Sequence, residues 1–374
     1  MNYRLSVLVI TLWVLVSACK TTKPFDPNRV RVSITDEGLL TCFAPGTSSD
    51  GKPVWCEASA VLFDDRDSSV WVANDKDMPS GQSSVFRKGF TTLSDTAQLP
   101  AYLTEAAYSA GRKYEDFART PDGKFVFLTT AFDRVKPNNQ DWDAYNTILY
   151  WRKGDERHPH VLMPSGQHTT SVGFRQKLAR VLATPNGPGN GQLAGVPYFK
   201  IEGLAATDRQ LLFGIREVGE AFDKFTYVNK IVAVSYTVGK LNGEDLIQLF
   251  DDWHVLTTFD PAVAHSSLPK PLGLSSLEYD PIHRCIWMLT SYEKDGRLDA
   301  YLWTNTLANM KIGKPFRLVR TGGKPVRFGH KAEDLTLLDN NRLLIIHDDD
   351  RVQTTVGKQT RQPNQAAYTI ITLN

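Results

Sequence analysis

Three glutamates in this chain stand in matching surroundings, Glu115, Glu202 and Glu333, and a lysine precedes each by two residues: Lys113, Lys200 and Lys331. Carboxylates repeated in this way have a definite chemistry if the fold gathers them. Three of them converging on one axis repel, which raises their pKa values or calls for a cation, and calcium, a ligand of carboxylate oxygens, is the candidate. The lysines fall on the same face as the glutamates if the segments are strands, so they either neutralise them or receive an anionic ligand. Arg216 lies fourteen residues after Glu202, and His347 lies the same distance after Glu333. Arg216 is thus a candidate anion binder and His347 a candidate acid or base. Asn74 and Asp348 complete the candidate ligand-binding set.

The elements that must position these residues are hairpins. In YFKIEGLAATDRQLLFGIREVGE (198–220), Ile201 to Ala206 reads as a strand, Thr207 to Gln210 as a polar turn and Leu211 to Ile215 as an apolar return strand. An antiparallel hairpin brings its beginning and end to one edge, so Glu202, Arg216 and Glu217 belong together there. The pattern recurs in KAEDLTLLDNNRLLIIHDDD (331–350) and KYEDFARTPDGKFVFLTT (113–130). It recurs with one extra turn residue in ASAVLFDDRDSSVWVAND (58–75) and GLSSLEYDPIHRCIWMLTS (273–291). The marker position is then Ser59, Glu115, Glu202, Ser275 and Glu333 in turn, and the return-strand position is Asn74, Thr129, Arg216, Thr290 and His347.

Successive markers are separated by about 56 to about 87 residues, room for two more strands each. Four strands per unit make a β-propeller blade, so the expectation is an all-β propeller of five four-stranded blades, or six if the N-terminal segment forms more than a closing strand. The last copy has one candidate partner, Ala366 to Leu373. Val30 to Ile34 is expected to supply the missing strand and close the ring. In the first blade the weaker candidates are Ser84 to Phe86 and Thr91 to Leu93. Ala101 to Ala110 reads as a short helix, and a helical insertion at about 170–184 places Phe174, Leu178, Val181 and Leu182 on one face, with Arg175, Lys177 and Arg180 elsewhere.

A purely architectural role competes with the functional one. Each glutamate can pin the neighbouring blade through backbone hydrogen bonds, as a device carried by every strong copy would. Arg216, His347 and Asp348, in contrast, differ from copy to copy, as a specific site requires.

The N-terminus divides the chain into residues 1–18, a signal peptide, residues 19–29, a tether, and residues 30–374, the propeller. Arg4 precedes the apolar run Leu5 to Val16, which is of signal-peptide length and short for a membrane span. Val16-Ser17-Ala18-Cys19 resembles the bacterial lipobox, which implies cleavage before Cys19 and its lipidation, palmitate included. A plain secretory peptide or a short anchor is the alternative. Lys20 is not the aspartate that tends to hold such lipoproteins at the inner membrane. The expectation is an outer-membrane lipoprotein of the cell envelope facing the periplasm, with the membrane as a partner through the lipid. Export makes Cys42 to Cys56 a plausible disulfide and leaves Cys285 as a buried thiol.

A net charge of +2 gives no case for nucleic acid as a partner. There is no C-x-x-C pair, serine-hydrolase elbow, H-E-x-x-H helix or EF-hand loop. Pro185 to Gly195 is glycine-rich, but it follows a helix and precedes a strand, the wrong order for a phosphate cradle. His158 and His160 alternate around Pro159, a weak arrangement for a metal.

The phrases IEGLA with LLFGIRE, and KAEDLTLL with LLIIHDDD, resemble those of bacterial secreted β-propellers of the esterase-like phytase type and of a related propeller family of unknown function. The resemblance implies a propeller fold and calcium-assisted phosphoester chemistry. Glu202-Gly203 keeps the usual glutamate-glycine pair, whereas aspartate follows Glu115 and Glu333. Two functions are open at this point. The first is binding of a small ligand or partner at the channel mouth. The second is calcium-dependent phosphoester or ester hydrolysis, with the cation on Glu115, Glu202 and Glu333.

Overall fold

Hairpins with one apolar face on each side of the sheet cannot bury both faces alone, and here they do so by standing side by side around an axis. The computed structural model describes residues 25–49, 51–76, 78–79, 82–136, 139–164, 170–183 and 195–374. Cys19, the segment read as a signal peptide, and nearly all of the glycine-rich stretch lie outside the described residues. Among the described residues no helix is long and apolar enough to cross a membrane.

The fold is a five-bladed β-propeller. The first blade runs from the channel outward through Ala58–Asp64, Ser69–Asn74, Val85–Gly89 and Ala101–Tyr102. The second comprises Tyr114–Arg119, Phe125–Thr130, Ile148–Arg152 and His160–Val161. In the third, Tyr198–Ala206, Gln210–Ala221 and the long strand Lys224–Leu241 are followed by Glu244–Leu249 and His254–Thr258, both of which pair with the long strand. The fourth is built from Gly273–Asp280, Cys285–Lys294 and Arg297–Thr306, edged by Arg317–Leu318 and Arg327–Phe328.

The fifth blade closes the ring. Ala332–Leu337, Arg342–His347 and Gln365–Leu373 come from the C-terminus, and Val32–Thr41 from the N-terminus forms the outermost strand. Its register runs from Val32 opposite Leu373 to Thr41 opposite Gln365. The closing strand is therefore longer than Val30 to Ile34, and it forms no sixth blade. Pairing the two chain ends within one sheet covers an edge that would otherwise expose unpaired backbone groups.

Among the described residues, buried apolar side chains fall into five groups, one at each blade interface, which is how a propeller builds a core without filling its axis. Phe127, Ile201 and Phe213 lie between the second and third blades, and Trp287, Leu302 and Leu335 between the fourth and fifth. The insertion helix, Val172–Ala183, joins the second-to-third interface through Phe174, Leu178 and Leu182. Arg175 belongs to the packed side as well: it donates to the carbonyls of Phe132 and Pro197 and stacks on Phe199 at 4.5 Å.

Two local expectations are corrected in the first blade. Phe90–Thr92 forms a single 3-10 turn, and the outer strand is Ala101–Tyr102, leaving Ala106–Ala110 as the helix. Tyr102 is drawn to the sheet edge by pairing with Phe86, on whose ring its own ring packs edge-on at 6.1 Å. Cys42 and Cys56 are joined by a disulfide, and Cys285 is a buried free thiol.

Candidate functional site

One irregularity is common to all five hairpins, and it falls on the marker positions. Ala58 pairs with Asn74 and Ala60 with Ala73, leaving Ser59 bulged out of register. The same break occurs at Glu115, Glu202, Ser275 and Glu333. A β-bulge adds one residue to one strand, bends it and re-aims its side chains. The five side chains emerge buried at one end of the channel, each less than 5% exposed.

Contacts tie these positions into one network. The Lys200 ammonium pairs with Glu202 and lies 3.4 Å from Glu115 Oε1, so it occupies the space between two of the three glutamates. Lys331 Nζ lies 2.8 Å from Glu333 Oε1 and 3.3 Å from Asp350 Oδ2. Lys113 turns to a different acid, Asp133, at 2.6 Å. Arg216 is buried; its Nε lies 3.9 Å from Glu202 Oε1, and its Nη1 donates to the hydroxyls of Ser275 and Ser291 at 3.0 and 2.9 Å and to the Leu274 carbonyl at 3.1 Å. Tyr227 covers the guanidinium at 5.1 Å. The lysine-lined offset, two residues before each bulge, is a glycine in the fourth blade, Gly273. A Cβ there would stand 3.0 Å from Arg216 Cγ, so the missing side chain is the space the arginine of the preceding blade fills.

Burial costs a charged carboxylate its hydration, and the outcome depends on which cation is near. Burial pushes the Glu115 carboxyl well above its ordinary value, and the neighbouring Glu202 adds to it against the opposing lysines. Burial acts on Glu202 too, but Lys200 and Arg216 outweigh it and hold its pKa low. Burial lifts Glu333 to about 7 even with Lys331 beside it. The network thus sets Glu202, whose pKa is lowered, with Glu115 and Glu333, whose pKa values are raised.

A second acidic group lies beside the first. Glu57, Asp348 and Asp350 offer carboxylate oxygens within 4.8 Å of one another. Lys76 Nζ holds Glu57 Oε2 at 2.6 Å, while Asp348 accepts the Asp350 N–H at 2.8 Å and has no lysine or arginine ion pair among the described residues. Burial raises Asp348 well above the ordinary carboxylate range, with Lys331 opposing and Asp350, Glu333 and Glu57 adding to it. Carboxylate oxygens converging in this way are the ligands calcium takes, although Lys76 and Lys331 already pair with Glu57 and Asp350 and leave Asp348 as the member without such a pair. Asn74 braces this corner: its Oδ1 accepts the Glu57 N–H at 2.7 Å and its Nδ2 donates to the Lys76 carbonyl at 3.2 Å.

Directly inside the bulges, Asp116 and Asp334 form a buried pair at the channel waist. Asp116 Oδ2 accepts the N–H of Leu204 at 2.6 Å and of Leu277 at 3.3 Å; Asp334 accepts the Val61 N–H and the Ser276 hydroxyl, each at 2.6 Å. Burial and the facing Asp334 raise Asp116 far above its ordinary value, and burial brings Asp334 to about 7. Asp116 Oδ1 meets no partner, and burial beside the Asp334 charge favours the protonated form of Asp116, which would donate to Asp334. This pair staples inner strands across the channel.

The return strands do not keep the register that the sequence alignment implies. His347 lies opposite Ala332, whereas Ile201 lies opposite Ile215 and Arg216 is itself bulged. The fifth-blade turn, Leu338–Arg342, is one residue longer than Thr207–Gln210. In the second blade Thr130, and not Thr129, stands opposite the residue before the bulge. His347 consequently faces the interior: its Nε2 meets Thr369 Oγ1 at 2.9 Å and its ring packs on Phe328 and His330. Burial lowers its pKa to about 3, so it is neutral and contacts none of the charged residues at the mouth. Thr290 likewise accepts from Trp303 Nε1 at 2.9 Å within the core.

Sequence reasoning missed Glu57, Lys76 and Asp350. Glu57 carried a readable signal, since it occupies the offset filled by Lys113, Lys200 and Lys331 in other blades.

The fold and site together define a five-bladed β-propeller whose channel mouth holds a buried ion-pair network. No family model matches the sequence, and no curated protein does. Among solved structures, the chain is similar to the PQQ-bound aldose sugar dehydrogenase of Streptomyces coelicolor, with 13% identity, 93% of this chain and 99% of that one covered, and a TM-score of 0.38. It is also similar to an α-L-arabinofuranosidase of Podospora anserina in complex with cellotriose (12% identity, 93% and 98% covered, TM-score 0.38) and to the catalytic domain of a Coprinopsis cinerea α-L-arabinofuranosidase (12%, 93% and 98%, 0.39).

Proposed function

We propose that the protein is a lipid-anchored envelope propeller that binds a small polar ligand at the channel mouth. One observation carries the reading. The same bulge accepts serine in two blades and glutamate in three, so a propeller of this kind does not need the glutamates to fold. Ser59 alone serves the architectural purpose, donating to the Tyr114 carbonyl of the next blade at 2.7 Å. Buried ion pairs are seldom a net gain for stability, because desolvation offsets their attraction. Their concentration at one channel end therefore supports a role in recognition, with Lys200, Lys331 and Arg216 meeting acidic groups of a ligand and the glutamates meeting its hydroxyl or amino groups.

Calcium-assisted phosphoester hydrolysis is the second reading, and the Glu57, Asp348 and Asp350 group favours it. Those three residues would hold the ion, which would polarise a phosphoryl oxygen, and Lys331 and Lys76 stand beside them to receive the anion. Thermal stability of wild type and Glu202→Gln, measured with and without calcium and with a panel of phosphate monoesters and sugar acids, tests both. Binding predicts ligand-dependent stabilisation of the wild type that the variant loses. A wild type indifferent to every ligand, with a strongly destabilised variant, would return the glutamates to architecture.

A further inference from the structure

We infer that the fourth-blade corner of the propeller face opposite the channel mouth is a docking surface for anionic phospholipid headgroups, so that the mouth opens away from the bilayer. The inference rests on the reading of Cys19 as the lipidated residue.

The argument starts from where the chain enters the fold. Phe25 packs on His283 at 5.2 Å and edge-on against Trp287 at 6.0 Å. His283 belongs to the turn between Asp280 and Cys285, at the end of the inner strand that lies away from the bulged Ser275. From that corner the closing strand runs toward the mouth. Thr41 pairs with Gln365, and the same C-terminal strand sets Ala367 opposite His347, the mouth end of its neighbour. Phe25 lies six positions after Cys19, a reach of roughly 20 Å at full extension. A lipid on Cys19 therefore holds the turn side of the fourth blade near the membrane and the mouth on the far side.

The surface at that corner matches the assignment. Residues 25–31, 281–284 and 307–317 carry Arg29, Arg31, Arg284, Lys311, Lys314 and Arg317, all exposed. The acidic residue of these segments is Asp26, which is already paired with Arg29 at 3.3 Å. The turn at 281–284 and the segment at 307–317 lie at the same end because Cys285 pairs with Thr306. Ile282 and Ile312 project among these cations, 57% and 68% exposed. Basic residues interspersed with exposed aliphatic side chains are the composition of an interfacial surface: the cations meet anionic headgroups and the aliphatics reach the acyl boundary.

The test uses the full lipidated protein in phosphatidylcholine vesicles with and without phosphatidylglycerol. Ile312→Cys and Phe222→Cys are each labelled with an environment-sensitive dye, Phe222 being the exposed tip of a third-blade hairpin beyond the mouth. Among the described residues the native cysteines are disulfide-bonded or buried, and a lipidated Cys19 has no free thiol, so the labels are specific. Lipid-borne quenchers should quench position 312 strongly and position 222 weakly. Quenching at 312 should rise with phosphatidylglycerol and fall in the Lys311→Glu, Lys314→Glu double variant. Vesicle-bound protein with stronger quenching at 222, or equal quenching at both, overturns the orientation while leaving the anchor standing. Protein that carries no fatty acid and stays in the soluble fraction overturns the anchor reading, and the docking face with it.

Discussion

Arg216, from the third blade, donates to the Ser275 hydroxyl of the fourth at 3.0 Å, and it does so through the gap left by Gly273. One blade thus supplies the charge that the next blade's bulge lacks. The charged mouth is assembled from neighbours, each filling what the adjoining repeat leaves open.

Removing that arginine should be costly in a specific way. Arg216→Leu leaves Glu202 buried with one cation fewer, and loss of one partner of a buried pair costs about 3–5 kcal/mol. Adding Glu202→Gln should recover part of this, since the stranded charge is then gone. Denaturant unfolding of the two single variants and the double variant checks it; strictly additive losses would show that the two residues are not coupled.

Gly273→Ala should strain the same joint. Its Cβ would stand 2.8 Å from Tyr227 Cδ1 and 3.0 Å from Arg216, in a buried site. Overpacking of this kind costs about 1–3 kcal/mol. The expected signature is a lowered Tm together with a weakened ligand response, while Gly243→Ala, at an exposed turn, should leave the ligand response intact.

Stability should fall as pH rises from the acid side toward 8. Burial raises Glu278 from 4.5 to about 8, and it raises Asp334 from 3.8 to about 7 and Glu333 to about 7. A carboxyl whose folded pKa is raised favours the folded state below its unfolded pKa, and that contribution is lost as pH climbs through the folded value. The window is therefore about pH 4 to 8 for these groups. Asp349, held at about 2 mainly by His330 against its burial, acts in the opposite sense only at the acid end, its contribution disappearing as pH falls through that value. Asp116→Asn, whose amide can donate to Asp334 as the protonated acid does, should match wild type near pH 5 and exceed it near pH 8. Tm profiles of the two proteins decide the point: parallel curves would remove the shared proton from the channel waist.

Loss of the Cys42–Cys56 bridge, which closes a separation of 14 residues, should cost about 3 kcal/mol on the chain-entropy account. A Cys42→Ser, Cys56→Ser variant compared with wild type by urea unfolding gives the number. An unchanged midpoint would mean that the loop is equally confined without the bond.

The hairpins, their number, the disulfide and the closure by the N-terminus were legible in the sequence because each depends on short-range periodicity or on a simple count. Alternation of apolar residues over six positions defines a strand whatever surrounds it. The gathering of Glu115, Glu202 and Glu333 followed from the same repeat. Tertiary structure alone decided which cation each glutamate meets. Lys113 stands at the same offset as Lys200, yet Asp133 takes it, because contacts between blades are not written in any one repeat. Bulges decided the rest. A single unpaired residue reverses which face a strand residue presents, so Arg216 turns into the mouth and His347 into the core, and Asp348 and Asp350 meet Glu57, from the opposite end of the chain, only once the ring has closed.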